Sequence, residues 1–414
     1  LSGLLETPID ISSLLREEAV LPHYQPIVSM KRRSIVGFEG LSRGWDTQNK
    51  SMIPAPLLFE SASQQGLSLE LDYLCRSRIL EEFGSLLKID PEFILTLNID
   101  SATVLGGSPW NSNLKAQVAK AGLTPRNVVI EILESAVKDV QELLRFVASY
   151  REAGYLIAMD DVGAGHSNLN RIPLVKPDII KVDRFLVEGV DRDFYKQEVF
   201  KSVLSMARHL GTVIIAEGVE TEGELATLLE LGVDMIQGYY FGRPRKIADL
   251  DLSAVELVVE KAGEVFKEHV LANAGRKHIN MAHFQAIIRE LKAELAKHDA
   301  GDFVGTLVRG VRKRHNVECV YVLDDSGRQI TDMIFNTPRE SNRSSAMFRP
   351  LPILADHSLR DYFYFLKNPG FHKTTFATKP YVSMVTGNLC VTIAAKIMDL
   401  HQHEHILCMD VHTL

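Results

Sequence analysis

A chain of 414 residues, 46% apolar and 24% charged, has the mass for two domains or one large domain with a smaller companion. Its formal net charge of -7 excludes bulk electrostatic attraction to DNA or to an anionic membrane surface, so a polyanionic ligand must be held locally by metals and a few placed cations. Cysteines at 75, 319, 390 and 408 have no C-x-x-C spacing and read as buried, reduced thiols of a cytoplasmic protein, while no apolar run is long enough to span a bilayer.

Residues 1–6 carry no signal-peptide pattern, and the lack of an initial Met fits a fragment of a longer chain. Tyr24-Gln-Pro-Ile-Val28 and Ser34-Ile-Val-Gly-Phe38 predict a hairpin around the basic turn Lys31-Arg-Arg33, with the second strand ending on Glu39. Residues 55–87 follow as a helical stretch. Five further short strands precede polar residues: 93–97 before Asn98, 127–130 before Glu131, 178–180 before Lys181, 212–216 before Glu217 and 234–236 before Gln237. Between them lie helical segments at 113–121, 137–153, 194–210 and 222–231.

The strand Tyr155-Leu-Ile-Ala-Met159 leads straight into Asp160-Asp161-Val162-Gly163-Ala164-Gly165. Neighbouring side chains on a strand point to opposite faces, so two adjacent carboxylates share one centre only where the strand ends and turns. The glycines are expected to supply that turn. Crowded carboxylates suit hard divalent cations, whereas the plainer reading is a surface Asx turn.

Short apolar strands alternating with amphipathic helices imply a parallel sheet with helices outside it. About eight strands in roughly 245 residues make an α/β fold, a (β/α)8 TIM barrel or an open doubly wound sheet. A barrel would bring the strand-end residues to one mouth, where two cations could support attack of water on a phosphodiester. Lys181 would hold that water, or else pair with Asp183. Of Glu217 and Glu220 only one need face inward, and either could cap the following helix.

Taken together, Glu39-Gly40-Leu41-Ser42-Arg43, Asn98, Glu131-Ile-Leu-Glu134, Asp160-Asp161, Lys181-Val-Asp183, Glu217-Gly-Val-Glu220 and Gln237-Gly-Tyr239 closely resemble the EAL-domain phosphodiesterases over about residues 16–250. The resemblance implies a modified barrel with one antiparallel strand that hydrolyses cyclic di-GMP to linear pGpG. It implies one or two Mg2+ or Mn2+ ions held by Glu39, Asn98, Glu131, Asp160, Asp161 and Glu217. Lys181, Glu217, Glu134 and Gln237 become catalytic candidates: Lys181 orients water, Glu217 is a base or metal ligand, and Glu134 anchors the loop at 162–168. Substrate contacts fall to Gln25, Leu41, Arg43 and Asp183, and a homodimer is expected. Two departures stand out: Glu-Gly-Leu replaces Glu-Ala-Leu, with the glycine expected to loosen the strand end, and Val162 and Ala164 replace Phe and Thr.

These features divide the chain into a barrel at 1–250, a helical connector at 251–300 with breaks near Gly263 and Ala274-Gly275, and an α+β domain at 301–414. The connector's Val255, Val258, Val259, Ala262, Val265 and Phe266 suit packing on the barrel or on a partner chain. The last domain resembles a PAS/Cache-type sensor. Its predicted strands are 318–323, 329–335, 374–377, 381–384, 388–397 and 405–411, with a turn at 324–327 and a helix at 359–366. Arg360, Asp361, Tyr362, Tyr381 and Ser383 could line a pocket for an unidentified small molecule, or simply pack the core. His401-x-His403-x-His405 could place three imidazoles on one strand face, or form a solvated hairpin tip. The functional expectation is a phosphodiesterase regulated by this domain; the alternative is a receptor that holds cyclic di-GMP without cleaving it.

Overall fold

One strand running against its neighbours closes the sheet into a ring. The structure, a computed structural model, describes residues 9–99, 103–104, 108–133, 139–164, 169–312, 314, 316–336, 350–368, 370 and 373–412. Two units meet in sequence at Ala272 and Asn273. In the first, β1 (Val20–Ser29) and β2 (Ser34–Asp46) form the predicted hairpin. β2 then starts a parallel series with β4 (Ile94–Ile99), β5 (Val128–Leu133), β6 (Leu156–Val162), β7 (Ile179–Val182), β8 (Val213–Ala216) and β9 (Met235–Gln237). β9 returns antiparallel to β1, with Ile27 opposite Gln237, so β1 opposes both neighbours. This closed, distorted TIM barrel rules out the open doubly wound sheet. The short β3 (Ser51–Ile53) extends the far end of β2 outside the ring.

Strand periodicity sorts the barrel core. Ile27, Val129, Ala158, Ile179 and Ile215 fill the interior, whereas Ile130, Met159, Ile180 and Val182 face outward and pack with helix residues such as Phe146, Phe200 and Leu228. Each buried Val, Leu, Ile, Met or Phe among them contributes roughly 1.5–3 kcal/mol. Helices Phe194–Leu210 and Glu222–Leu231 occupy the expected residues, stopped by left-handed Gly211 and Gly232. Thr221 and Glu224 make the capping box of the second helix, so neither Glu217 nor Glu220 caps it.

Three expectations need correction. The stretch 55–87 is not one helix: Ala55–Gln65 ends at left-handed Gly66, and Ser68–Phe83 starts afresh. β2 does not end at Glu39; it continues to Asp46 because β1 stays paired along it as far as Gly44 and β3 takes over beyond. The helix Leu252–Leu295 is unbroken at Gly263 and Gly275. An interior glycine costs only about 1 kcal/mol relative to alanine, too little to stop a long helix lacking proline. Its early residues Val255, Val259 and Ala262 pack into the barrel unit's core.

Among the described residues, the second unit is α+β, built on an antiparallel sheet of six strands. β10 (Val317–Leu323) lies between β11 (Ile334–Phe335) and β15 (Glu404–His412); next comes β14 (Leu389–Met398), which pairs with β12 (Thr375–Ala377) and β13 (Tyr381–Val382). One core cluster joins Phe284, Ile288, Leu291, Phe303 and Leu307 to the sheet, and another joins Tyr362, Phe363 and Leu366. β11 is shorter than the expected 329–335, because the Thr331 hydroxyl accepts from the Val322 N–H in place of a backbone carbonyl. Among the described residues, no helix is long and apolar enough to cross a membrane.

Candidate metal centre at the barrel mouth

The periodicity that buries Ile179 inside the barrel also sends Lys181 inward, one layer higher. Val129 and Glu131 repeat this on β5, Ala158 and Asp160 on β6, and Ile27 and Gln25 on β1. A polar layer thus rests on an apolar one. Lys181 Nζ lies 2.6 Å from Glu217 Oε1, 3.0 Å from Glu131 Oε2, 3.3 Å from Asp160 Oδ1 and 3.5 Å from Glu39 Oε1. Asp183 takes no part in this network; it accepts from the Phe185 N–H as a helix cap, so the Lys181–Asp183 pair is not formed.

The two aspartates converge by a device other than the glycine turn. The β6–β7 ladder is irregular between Met159 and Val162, and Asp161 itself is left-handed at φ 56°. Aspartate tolerates that conformation better than most side chains. The irregularity cancels the strand alternation, and oxygens of Asp160, Asp161 and Glu217 lie within 4.8 Å of one another.

Glu39 is the best solvated of the buried carboxylates by protein groups. Asn98 Nδ2 donates to its Oε1 at 2.9 Å and Gln237 Nε2 donates to its Oε2. Burial pushes Glu39 up, but Lys181 and these two amides outweigh it and hold the carboxyl below its ordinary value. Glu131 receives Lys181 but no amide among the described residues: burial prevails and raises it well above the usual range, and its Oε1 is buried without a hydrogen-bond partner among the described residues. Burial raises Glu217 to about 8 despite Lys181, with Asp160 adding repulsion. Asp161 reaches about 6, from burial and then Asp160. Lys181 stays charged, because the carboxylates around it overcome the cost of burial.

Five carboxyl groups share one buried ammonium, so keeping all of them ionised is costly, the situation a divalent cation relieves. All donors are hard oxygens, which suit Mg2+, Mn2+ or Ca2+. The donor set and the unpartnered Glu131 oxygen therefore fit a divalent metal.

A cavity of about 390 Å³ opens above these groups, lined by Gln25, Glu39, Asn98, Asp161, Glu217 and Gln237 among others. Gln25 is fixed by Gln237 Nε2 at 3.1 Å and donates to the Gly242 carbonyl at 3.0 Å. Leu41, Arg43 and Asp183 do not line it; Arg43 Nη1 instead donates to the Ser42 carbonyl at 2.8 Å. Glu134 and most of the loop at 162–168 lie outside the described residues. Arg184 and Glu220, paired at 2.7 Å, and Tyr239 form a rim; Glu220 thus lines the cavity together with Glu217, while strand-end reasoning missed Arg184 and Tyr239, since neither directly follows an apolar run. Gly238 permits the close approach of this rim: a Cβ there would lie 2.1 Å from the Val219 carbonyl oxygen.

In the second unit, Arg360, Asp361, Tyr362, Tyr381 and Ser383 do share one cavity, of about 420 Å³. The three histidines do not share a strand face. His401 and His403 sit in a turn before β15, and His403 and His405 spend their rings on Asp399 at 3.1 and 3.3 Å.

Residues 10–244 match the family model described as the EAL domain. The probable cyclic di-GMP phosphodiesterase PdeB of Escherichia coli is 30% identical over 233 residues, 56% of this chain but only 44% of PdeB. The uncharacterized EAL-domain containing protein YkuI of Bacillus subtilis is 28% identical over 350 residues, 80% of this chain and 81% of YkuI. The crystal structure of YkuI, in complex with substrate c-di-GMP and calcium, shares the fold with a TM-score of 0.77, covering 99% of this chain and 100% of that one at 24% identity. Klebsiella pneumoniae BlrP1, solved with manganese and cyclic di-GMP, is 28% identical with a TM-score of 0.50 over 55% of this chain and 56% of its own.

Proposed function

Because this chain belongs to the EAL-domain family, we propose that its barrel hydrolyses cyclic di-GMP to linear pGpG with Mg2+ or Mn2+ as cofactor. The observation that carries this reading is the convergence of Asp160, Asp161 and Glu217 within 4.8 Å beside Lys181, at the floor of an open polar cavity. Water adds to phosphorus, the bond from phosphorus to the 3′ oxygen breaks, and that oxygen takes up a proton. Glu39, Asn98, Glu131, Asp160, Asp161 and Glu217 would hold one or two ions, which supply Lewis-acid stabilisation of phosphoryl charge and a lowered pKa for water.

The protein's own groups position the rest. Lys181 donates to the attacking water while staying tethered to Glu131 and Glu217. Glu217, 2.6 Å from Lys181 Nζ, is placed to take a proton from it. Gln237 and Asn98 fix Glu39, and Gln237 also fixes Gln25 for contact with the nucleotide. Leu41, Arg43 and Asp183 contact substrate from outside the cavity floor.

The reading extends to a cytoplasmic homodimer with a barrel at 1–250, a connector at 251–300 and a PAS/Cache-like sensor at 301–414. The sensor's antiparallel strand order and its cavity around Tyr362 support a small-molecule ligand that tunes hydrolysis. The test is product analysis: purified protein, cyclic di-GMP and Mg2+ or Mn2+, against an EDTA control. Metal-dependent pGpG is the expected result. Nucleotide bound but intact would replace the enzyme reading with that of a receptor.

A further inference from the structure

In the second unit, the end of the sheet brings together three side chains of a different kind. Cys390 on β14 and His412 on β15 are direct cross-strand partners. Glu318 joins them from β10, where the ladder with β15 is irregular between Val317 and Cys319. Cys390 Sγ lies 2.7 Å from Glu318 Oε2, His412 Nδ1 lies 3.5 Å from the same oxygen, and the three donor atoms all fall within 4.8 Å. The Thr386 hydroxyl donates to the other oxygen of Glu318. The Glu318 side chain is 4% exposed and its polar partners are a hydroxyl, a thiol and an imidazole; no Lys or Arg among the described residues pairs with it.

We propose that Glu318, Cys390 and His412 form a second metal site, for a borderline-soft divalent cation of the zinc type, with its fourth position open to water. One sulfur, one nitrogen and one oxygen donor select Zn2+ or Co2+ over the hard cations suited to the barrel mouth. Tetrahedral coordination with ordinary Zn–S and Zn–O lengths sets sulfur and oxygen about 3.5 Å apart. Cys390 and Glu318 therefore need only a small side-chain adjustment, with the ion replacing the hydrogen they share. His412, 34% exposed, leaves the site an entrance. Thr386 holds the Glu318 carboxylate in place, the supporting role that outer partners play around metal ligands.

Cobalt separates this site from the barrel centre, whose donors are all oxygen or amide. The 414-residue protein stripped with EDTA and titrated with Co2+ should develop a near-ultraviolet thiolate-to-cobalt charge-transfer band. Zn2+ should abolish that band and excess Mg2+ should not. Cys390→Ser should lose it while keeping the wild-type circular dichroism, and His412→Asn should bind Co2+ at least about tenfold more weakly. Absence of the band in wild-type protein, or an undiminished band in Cys390→Ser, overturns the proposal. Should Cys390→Ser fail to fold, wild-type Co2+ affinity in His412→Asn overturns it equally.

Discussion

Lys181 Nζ approaches Glu217 Oε1 to 2.6 Å, closer than it comes to any other carboxylate of the mouth. That contact ties the group expected to hold water to the group expected to accept its proton. Lys181→Met preserves length and removes the charge. Breaking a buried ion pair from one side costs on the order of 3–5 kcal/mol, so metal-free protein should melt at a clearly lower temperature and regain part of the loss with Mn2+. Turnover should fall about 10²–10⁴-fold, as it should for Glu217→Ala and Glu39→Ala. Wild-type melting of Lys181→Met in EDTA is the result incompatible with this network.

The elevated carboxyls give the metal-free protein a definite pH response. Between the ordinary glutamate value and about 8, Glu217 holds a proton in the folded chain that it lacks when unfolded. Stability in EDTA should therefore fall as pH rises through that window. A divalent cation must displace the same proton, so its affinity should rise from pH 6 to 8, with Asp161 contributing near 6. Melting curves and Mn2+ titrations across this range measure both slopes. Glu217→Gln should flatten them; unchanged slopes in that variant would remove Glu217 as their source.

The strand-end residues were legible because a polar side chain directly after an apolar run must face either solvent or a shared site, and a repeated register favours the second. Glu131, Asp160, Lys181 and Gln237 follow that logic to the barrel mouth. Glu39 reaches it from the middle of β2, since strand length is set by partners that one segment cannot reveal. The convergence of Asp160 and Asp161 depends on a left-handed aspartate and a ladder irregularity, neither of which has a strong sequence signature. The cluster of Glu318, Cys390 and His412 was invisible for a simpler reason: its members are distant in sequence and meet only through strand pairing.

Gly40 was expected to loosen a strand end, yet it lies inside β2 against Ile79. A Cβ at this position would come 2.5 Å from Ile79 Cγ2 and 3.2 Å from Leu95 Cδ1. The β-branched Ile79 thus occupies the space an alanine methyl would use, and Gly40→Ala should cost roughly 1–3 kcal/mol by overpacking. Ile79→Leu removes the branch responsible, so the double variant should recover most of that loss. Denaturant unfolding of the two single variants and the pair gives the coupling directly; strict additivity would rule out the clash as the cause.

Asp399 organises the tip between β14 and β15. Its Oδ1 accepts the His401 and His403 N–H groups at 2.8 Å each, and its Oδ2 meets the rings of His403 and His405. Burial pushes the Asp399 carboxyl up, but these hydrogen bonds prevail and hold it below the usual carboxylate range. Its stabilisation is therefore complete above the ordinary aspartate value and fades as pH falls below it. Asp399→Ala should unfold the second unit at lower temperature. His403→Ala removes only an exposed ring and should leave both stability and phosphodiesterase turnover near wild type. Fluorescence-monitored melting together with the product assay distinguishes the two, because a tip that mattered through a metal on its histidines would make His403→Ala at least as damaging as Asp399→Ala.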